Sequence, residues 1–196
     1  MRARSFDWHE RYTLPSLMDF YAPSATNHGS YYKDWTSEDE VAWRGFYAKW
    51  FDLVKDFHDR GGRVTAGSDP GYIYQTWGFA YIGELEMLRE AGLSPLAVIR
   101  AATLDGARSL YEPMDKEPPM GRIAVGQLAD LVIVPENPLA NLKVLYGTGH
   151  TRLNRETGAI EQVGGVRWTV KDGILFDAPA LLADVARMVE EQRATR

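Results

Sequence analysis

The chain has no cysteine, so thiolate chemistry is absent and any metal must be held by histidine, a carboxylate or a modified side chain. Four histidines occur, His9, His28, His58 and His150, and none falls in an H-x-H, H-E-x-x-H or H-x₃₋₅-H spacing. His58 stands beside Asp56 and Asp59 at the end of an apolar-striped segment, where an imidazolium favours a helix C-terminus. His150 follows Gly147-Thr148-Gly149 and reads as a loop residue, whereas His9, between Trp8 and Glu10, is ambiguous. His28, in Ser24-Ala25-Thr26-Asn27-His28-Gly29, lies in a long early loop and is the histidine best placed to face a ligand. The remaining candidate is Asp69, directly after the β-favouring run Arg63-Val64-Thr65-Ala66 and inside the turn Gly67-Ser68-Asp69-Pro70-Gly71. α/β barrels place reacting groups at such strand ends. The competing reading is an Asx-turn residue that bonds its own backbone ahead of Pro70-Gly71. Motifs for serine hydrolases, P-loop enzymes and dinucleotide binders do not occur.

The elements that must position these residues follow from spacing. Residues 1–35 are rich in aromatics and turn formers, and predict a short strand near Ser16–Phe20 and then a long loop. Ser37 with Glu40 forms a capping box ahead of Trp43, Phe46, Tyr47, Trp50, Phe51, Val54 and Phe57, which lie on one face of a helix over about 38–59. That stripe is expected to be core, and Gly61-Gly62 ends the helix. A second helix carries Phe79, Ile82, Leu85, Met87 and Leu88 and stops at Gly92; a third opens at Ser94-Pro95 and runs to Leu110. Glu112–Gly121 reads as a linker, and Leu131-Val132-Ile133-Val134 suits a strand buried on both faces. Asp172-Gly173 predicts a tight hairpin between Gly164–Lys171 and Ile174–Phe176. From Pro179 onward, Leu181, Leu182, Val185, Met188 and Val189 mark a closing amphipathic helix.

Composition bounds the class. At 45% hydrophobic and 25% charged residues the chain supports a packed core and is neither disordered nor collagenous. Its 22 Lys plus Arg against 27 Asp plus Glu give a net charge of -5, and no basic run occurs, so a nucleic-acid partner is not expected. Neither a signal peptide nor a membrane span is visible, so no membrane partner is expected. The cytoplasm is favoured, although a signal peptide in an upstream portion remains compatible with the sequence.

Five segments in order resemble the C-terminal part of metal-dependent amidohydrolases, the superfamily of imidazolonepropionase, dihydroorotase and prolidase-type enzymes. They are Val64–Asp69, Leu93–Thr103, Gly121–Val134, Asn137–Leu139 and Val170–Gly173. The resemblance implies an α/β fold: the C-terminal portion of a distorted (β/α)₈ TIM barrel over 1–111, part of a small β-sandwich over 112–178, and a C-terminal amphipathic helix over 179–196. It implies hydrolysis of a carbon–nitrogen bond other than a peptide bond, in a small amide, cyclic amide or N-acyl amino acid. A divalent metal, zinc, as one or two ions, would serve the complete enzyme. Asp69 matches the family aspartate at the end of the eighth barrel strand, as metal ligand and proton acceptor. Tyr72, Tyr74 and Trp77 behind it either line the substrate pocket or pack on the barrel rim.

The family's other ligands, an H-x-H pair, a carboxylated lysine or glutamate and two single histidines, have no counterpart here. A barrel of this kind needs ~250 residues. The expectation is therefore a C-terminal fragment inactive by itself, completed by a missing N-terminal portion, by a second chain of a split enzyme, or by a homo-oligomer. The alternative from another class is a non-catalytic interaction module built on the β unit and the closing helix.

Overall fold

The computed structural model describes residues 6–26, 32 and 34–196, so His28 lies outside the described residues. Its elements run α1 (Trp8–Tyr12), α2 (Pro15–Tyr21), α3 (Ser37–Asp59), α4 (Ala80–Glu90), α5 (Pro95–Ala102), α6 (Leu104–Tyr111), β1 (Leu131–Ile133), β2 (His150–Leu153), β3 (Ile160–Val163), β4 (Trp168–Lys171), β5 (Ile174–Asp177) and α7 (Ala178–Ala194). This is a mixed α/β chain.

Capping chemistry decides where the helices begin. Pro15 at the first position starts α2 where a strand was expected, because its fixed φ and missing N–H suit a helix N-terminus. Leu17, Met18 and Tyr21 then share one face. The α3 box sits one residue earlier than expected: Thr36 accepts from the Asp39 N–H, and the Asp39 carboxylate accepts from the Thr36 N–H at 2.8 Å. Ser94 caps α5 as expected, accepting from the Ala97 N–H at 3.2 Å. The expected third helix is two, because Thr103, at φ -131° and ψ -92°, breaks it into α5 and α6.

The core lies on α4. Phe79, Ile82, Leu85, Leu88 and Ala91 pack against Leu93, Val98, Ala101, Leu142 and Tyr146. Burying each leucine fully contributes about 1.5–3 kcal/mol, so this cluster anchors the fold. The Tyr146 hydroxyl donates to Glu86 Oε2 at 2.6 Å and ties the 3-10 turn Leu142–Leu145 to α4. Trp8 of α1 stacks on Phe79 at 4.9 Å.

α3 departs from expectation. It reaches the core through Phe51 and Val54, yet none of its residues is buried, and Trp43, Phe46, Trp50 and Phe57 are about half exposed. The stripe is wider than the contact that Phe51 and Val54 make. β1 departs as well: Val132 is 56% exposed, so the run expected to be buried on both faces lies open to solvent. Its sheet has the antiparallel order β1-β4-β5 and pairs Leu131 with Val170 and Lys171 with Ile174. Asp172 and Gly173, at φ 52° and 79°, make the expected hairpin turn. β2 and β3 form a separate two-stranded sheet. His150 is its first residue rather than a loop residue, with Nε2 3.0 Å from Asn141 Nδ2.

α7 is capped by Asp177, which accepts from the Ala180 N–H at 3.1 Å. It buries Ala186 and Val189 and returns to the start of the chain. Gln192 Oε1 accepts from the Ser16 N–H at 2.9 Å, Arg193 donates to the Glu10 carbonyl, and Arg196 pairs with Asp19.

Candidate active-site turn

From Arg63 to Ser68 the chain has no regular secondary structure, yet Val64, Ala66 and Ser68 are half-buried while Thr65 and Gly67 are exposed. This is the side-chain alternation of a strand. The expected strand lacks a ladder, however, since the segment pairs with no other strand. The Ala66 N–H instead donates to the Ala101 carbonyl at 3.3 Å, which holds the segment against the end of α5.

The segment delivers Asp69 into a strained turn. Asp69 is exposed and has φ 43°, in the left-handed region, immediately before Pro70. Left-handed geometry costs an L-residue about 1–2 kcal/mol, and a following proline further disfavours anything but extended backbone. Aspartate is among the few non-glycine residues that tolerate it. Such strain persists where the surroundings over-determine it. Here they do: the Gly71 N–H donates to the Gln75 carbonyl at 2.6 Å and the Gln75 N–H donates to the Tyr72 carbonyl at 2.7 Å. The Trp77 ring lies against Gly71, where a Cβ would come within 2.8 Å of Cζ2.

Beneath the turn sits an aromatic pair. Tyr21 of α2 is 1% exposed and its hydroxyl donates to the Gly71 carbonyl at 2.9 Å. The Tyr74 hydroxyl donates to the Tyr21 carbonyl at 3.2 Å, and the two rings meet edge to face at 5.3 Å. Tyr74 is 6% exposed, with φ 56°. On the other side stands Glu84 of α4, whose burial pushes its carboxyl above the usual carboxylate range, an effect that the nearby Gly67 backbone partly offsets. Tyr81, one turn earlier on α4, is also pushed up, first by burial and then by the Glu84 charge.

Of the residues singled out in the sequence, Asp69 and Tyr72 therefore share one exposed turn, Tyr74 lies under it on Tyr21, and His28 is outside the described residues. Sequence reasoning missed Tyr21 and Glu84. Glu84 had a signal: it lies four residues before Leu88, so a charge falls on an apolar helical face. Tyr21 had none once Ser16–Phe20 was read as a strand.

A cleft of about 670 Å³ opens between α1, α2 and the end of α7, with His9 buried in its wall and His9 Nδ1 2.9 Å from Thr13 Oγ1. Asp69, Tyr72 and Tyr74 do not line it.

Among the described residues no group of three His, Asp or Glu side chains is assembled to hold a metal ion. A catalytic metal site takes at least three protein ligands, so these residues do not by themselves fit the metal that the family resemblance implies.

Residues 48–173 match the model of the Amidohydrolase family. No curated protein matches the chain. Among solved structures, a Xaa-Pro dipeptidase with methionine bound in its active site is similar at 26% identity and a TM-score of 0.47, over 65% of this chain and 25% of that one. An uncharacterized protein is similar at 23% identity and a TM-score of 0.51, over 89% of this chain and 37% of that one. The chain thus spans a quarter of the first and little more than a third of the second. With the family match running from the middle of α3 through the β4–β5 turn, Asp69 included, the chain belongs to the amidohydrolase family.

Proposed function

We propose that this chain supplies one wall of a hydrolytic site that cleaves a carbon–nitrogen bond in a small amide, with Asp69 as the carboxylate that accepts a proton. The observation that carries this reading is an exposed aspartate, held left-handed directly after a segment of strand-like side-chain alternation, inside the family-matched residues. In the reaction, water attacks the amide carbonyl carbon and loses a proton to an Asp69 carboxylate oxygen. The C–N bond then breaks and the proton passes to the leaving amine, so the carboxylate is regenerated. A positioned general base contributes about 10²–10⁴-fold. Tyr72, exposed on the same turn, would contact the substrate, and the buried Tyr74 braces the turn through Tyr21.

On this reading 1–111 is barrel, 112–178 is part of a β-sandwich and 179–196 is a closing helix. The divalent metal expected of the family would take Asp69 together with ligands from polypeptide beyond the described residues. The bond cleaved is non-peptide, in an N-acyl amino acid or cyclic amide. Co-expressing the chain with the polypeptide encoded directly upstream and assaying an N-acyl amino acid, a cyclic amide and a dipeptide tests each point. We expect turnover of the first or second, with a loss of at least about 10²-fold in Asp69→Asn. Full activity in that variant removes Asp69 from the chemistry, and turnover of the dipeptide alone reassigns the bond.

The exposed face of α3 favours a second reading, a non-catalytic module that binds a further copy. Light scattering separates them: a defined dimer supports the module, and open-ended association supports an incomplete barrel.

A further inference from the structure

A cavity of about 290 Å³ lies where the end of α3 meets α5 and α6. That volume is at the lower end of small-molecule sites, which run about 300–1,000 Å³. Its wall carries His58, Arg63, Arg100 and Arg108, and Asp105 is the acidic side chain among them. Asp69, Tyr72 and Tyr74 do not line it, and Asp69 stands beyond the far end of the segment that Arg63 opens. The charges around the cavity do not cancel. Arg100 Nη2 is paired with Asp105 Oδ1 at 3.0 Å. Arg63 and Arg108 share one carboxylate, with Arg63 Nη2 2.5 Å from Glu112 Oε2 and Arg108 Nε 3.5 Å from Glu112 Oε1. Two guanidiniums against one carboxylate leave a positive charge over, before His58 is counted, on a chain whose net charge is -5. The acids at the end of α3 are spent elsewhere, Asp59 on Lys55 and Asp56 on Arg60. The α3 carbonyls that would repel an anion are occupied too, since the Arg60, Gly61 and Gly62 N–H groups donate to Asp56, His58 and Phe57.

We propose that this cavity binds a phosphate-type oxyanion, free or as the terminal group of a small phosphomonoester. Each guanidinium spends one nitrogen on its ion pair, so its other N–H donors remain for a ligand. The half-buried His58 ring makes no hydrogen bond among the described residues and adds a further donor. A tetrahedral oxyanion presents oxygens in several directions and so engages the Arg63 and Arg108 forks together with His58, whereas a planar carboxylate fills one fork. Glu112 is the acceptor with which a bound anion must share the two guanidiniums. The site is separate from the Asp69 turn, so it stands or falls independently of any role of Asp69 as a base.

Equilibrium dialysis of the whole chain against radiolabelled inorganic phosphate tests the site whether or not the chain self-associates. We expect saturable binding that weakens by about tenfold or more in Arg108→Gln, the loss of a hydrogen bond to a charged group. Arg155→Gln, at an exposed position between β2 and β3, should leave the affinity unchanged. Glu112→Gln should bind phosphate more tightly than the unmodified protein because it frees both guanidiniums, and a folding defect cannot imitate that gain. Competition with glycerol 3-phosphate separates the sources: displacement at lower concentration than unlabelled phosphate marks a phosphomonoester site, and the reverse order marks a site for free phosphate. Acetate competing as well as phosphate would overturn the proposal. So would an Arg108→Gln variant that binds like Arg155→Gln, or a Glu112→Gln variant that binds no more tightly than the unmodified chain.

Discussion

At Asp69 a backbone penalty coincides with the proposed chemical role. The left-handed φ costs about 1–2 kcal/mol for an L-residue and nothing comparable for glycine. Asp69→Gly should therefore stabilise the chain by about 1 kcal/mol in equilibrium urea unfolding while removing the carboxylate. No gain in midpoint would show that the turn is unstrained. Glu84 makes a second prediction. Burial raises it above its ordinary value of 4.5, so the native state keeps this proton to higher pH than the unfolded chain does. Its contribution to stability is fully present below 4.5 and is lost as pH rises through the raised value. Melting in steps upward from pH 4.5 should show a decline that flattens in Glu84→Gln; an unchanged slope would exonerate Glu84. Asp39 and Asp130 run the other way. Hydrogen bonds to Thr36 and Lys171 hold them below 3.8, so their contributions are present above that value and lost as pH falls.

Helices were legible where the side chains and the caps agree. Ser94-Pro95 fixed the start of α5, and Ser94→Ala should cost about 1 kcal/mol in thermal or urea unfolding, because the Ala97 N–H loses its acceptor. The Asp172-Gly173 hairpin was legible for the same reason, as two adjacent residues that accept positive φ. The failures share one cause, which is tertiary context that no local window contains. Pro15 sits equally well before a strand or inside a first helical turn, and only the packing of Leu17 and Met18 around Tyr21 decides between them. The α3 aromatics read as core because periodicity reports which residues share a face, not what covers that face. Likewise the Arg63–Ser68 segment carries β propensity without a partner strand among the described residues to express it. For the candidate site, the Pro-Gly turn made Asp69 a candidate beside an equally local Asx-turn reading, and the family resemblance gave it its proposed role. Tyr21, fifty residues away in sequence, meets the turn only through the fold.

The molecule as a whole exposes more than its mass warrants. Its accessible surface is 12962 Å², against about 9300 Å² for a typical folded monomer of 22.1 kDa. The surplus of about 3600 Å² is several times the roughly 800 Å² that one partner gives to a standard-size interface. Much of the apolar part lies on α3, at Trp43, Phe46, Trp50 and Phe57, and on the outer strands, at Val132, Ile174 and Leu175. The chain alone should therefore self-associate in sedimentation velocity at micromolar concentrations, and Phe46→Lys with Trp50→Glu should suppress this with little change in melting temperature. A monodisperse monomer that melts cooperatively and excludes hydrophobic dyes would contradict the expectation. α7 makes a different point at this scale. Gln192 holds Ser16, α2 carries Tyr21, and Tyr21 holds Gly71, so the last helical turn is linked through α2 to the turn that carries Asp69. A domain fused at that turn should therefore disturb the Asp69 turn from the opposite end of the chain, a coupling that amide exchange at Gly71 would read.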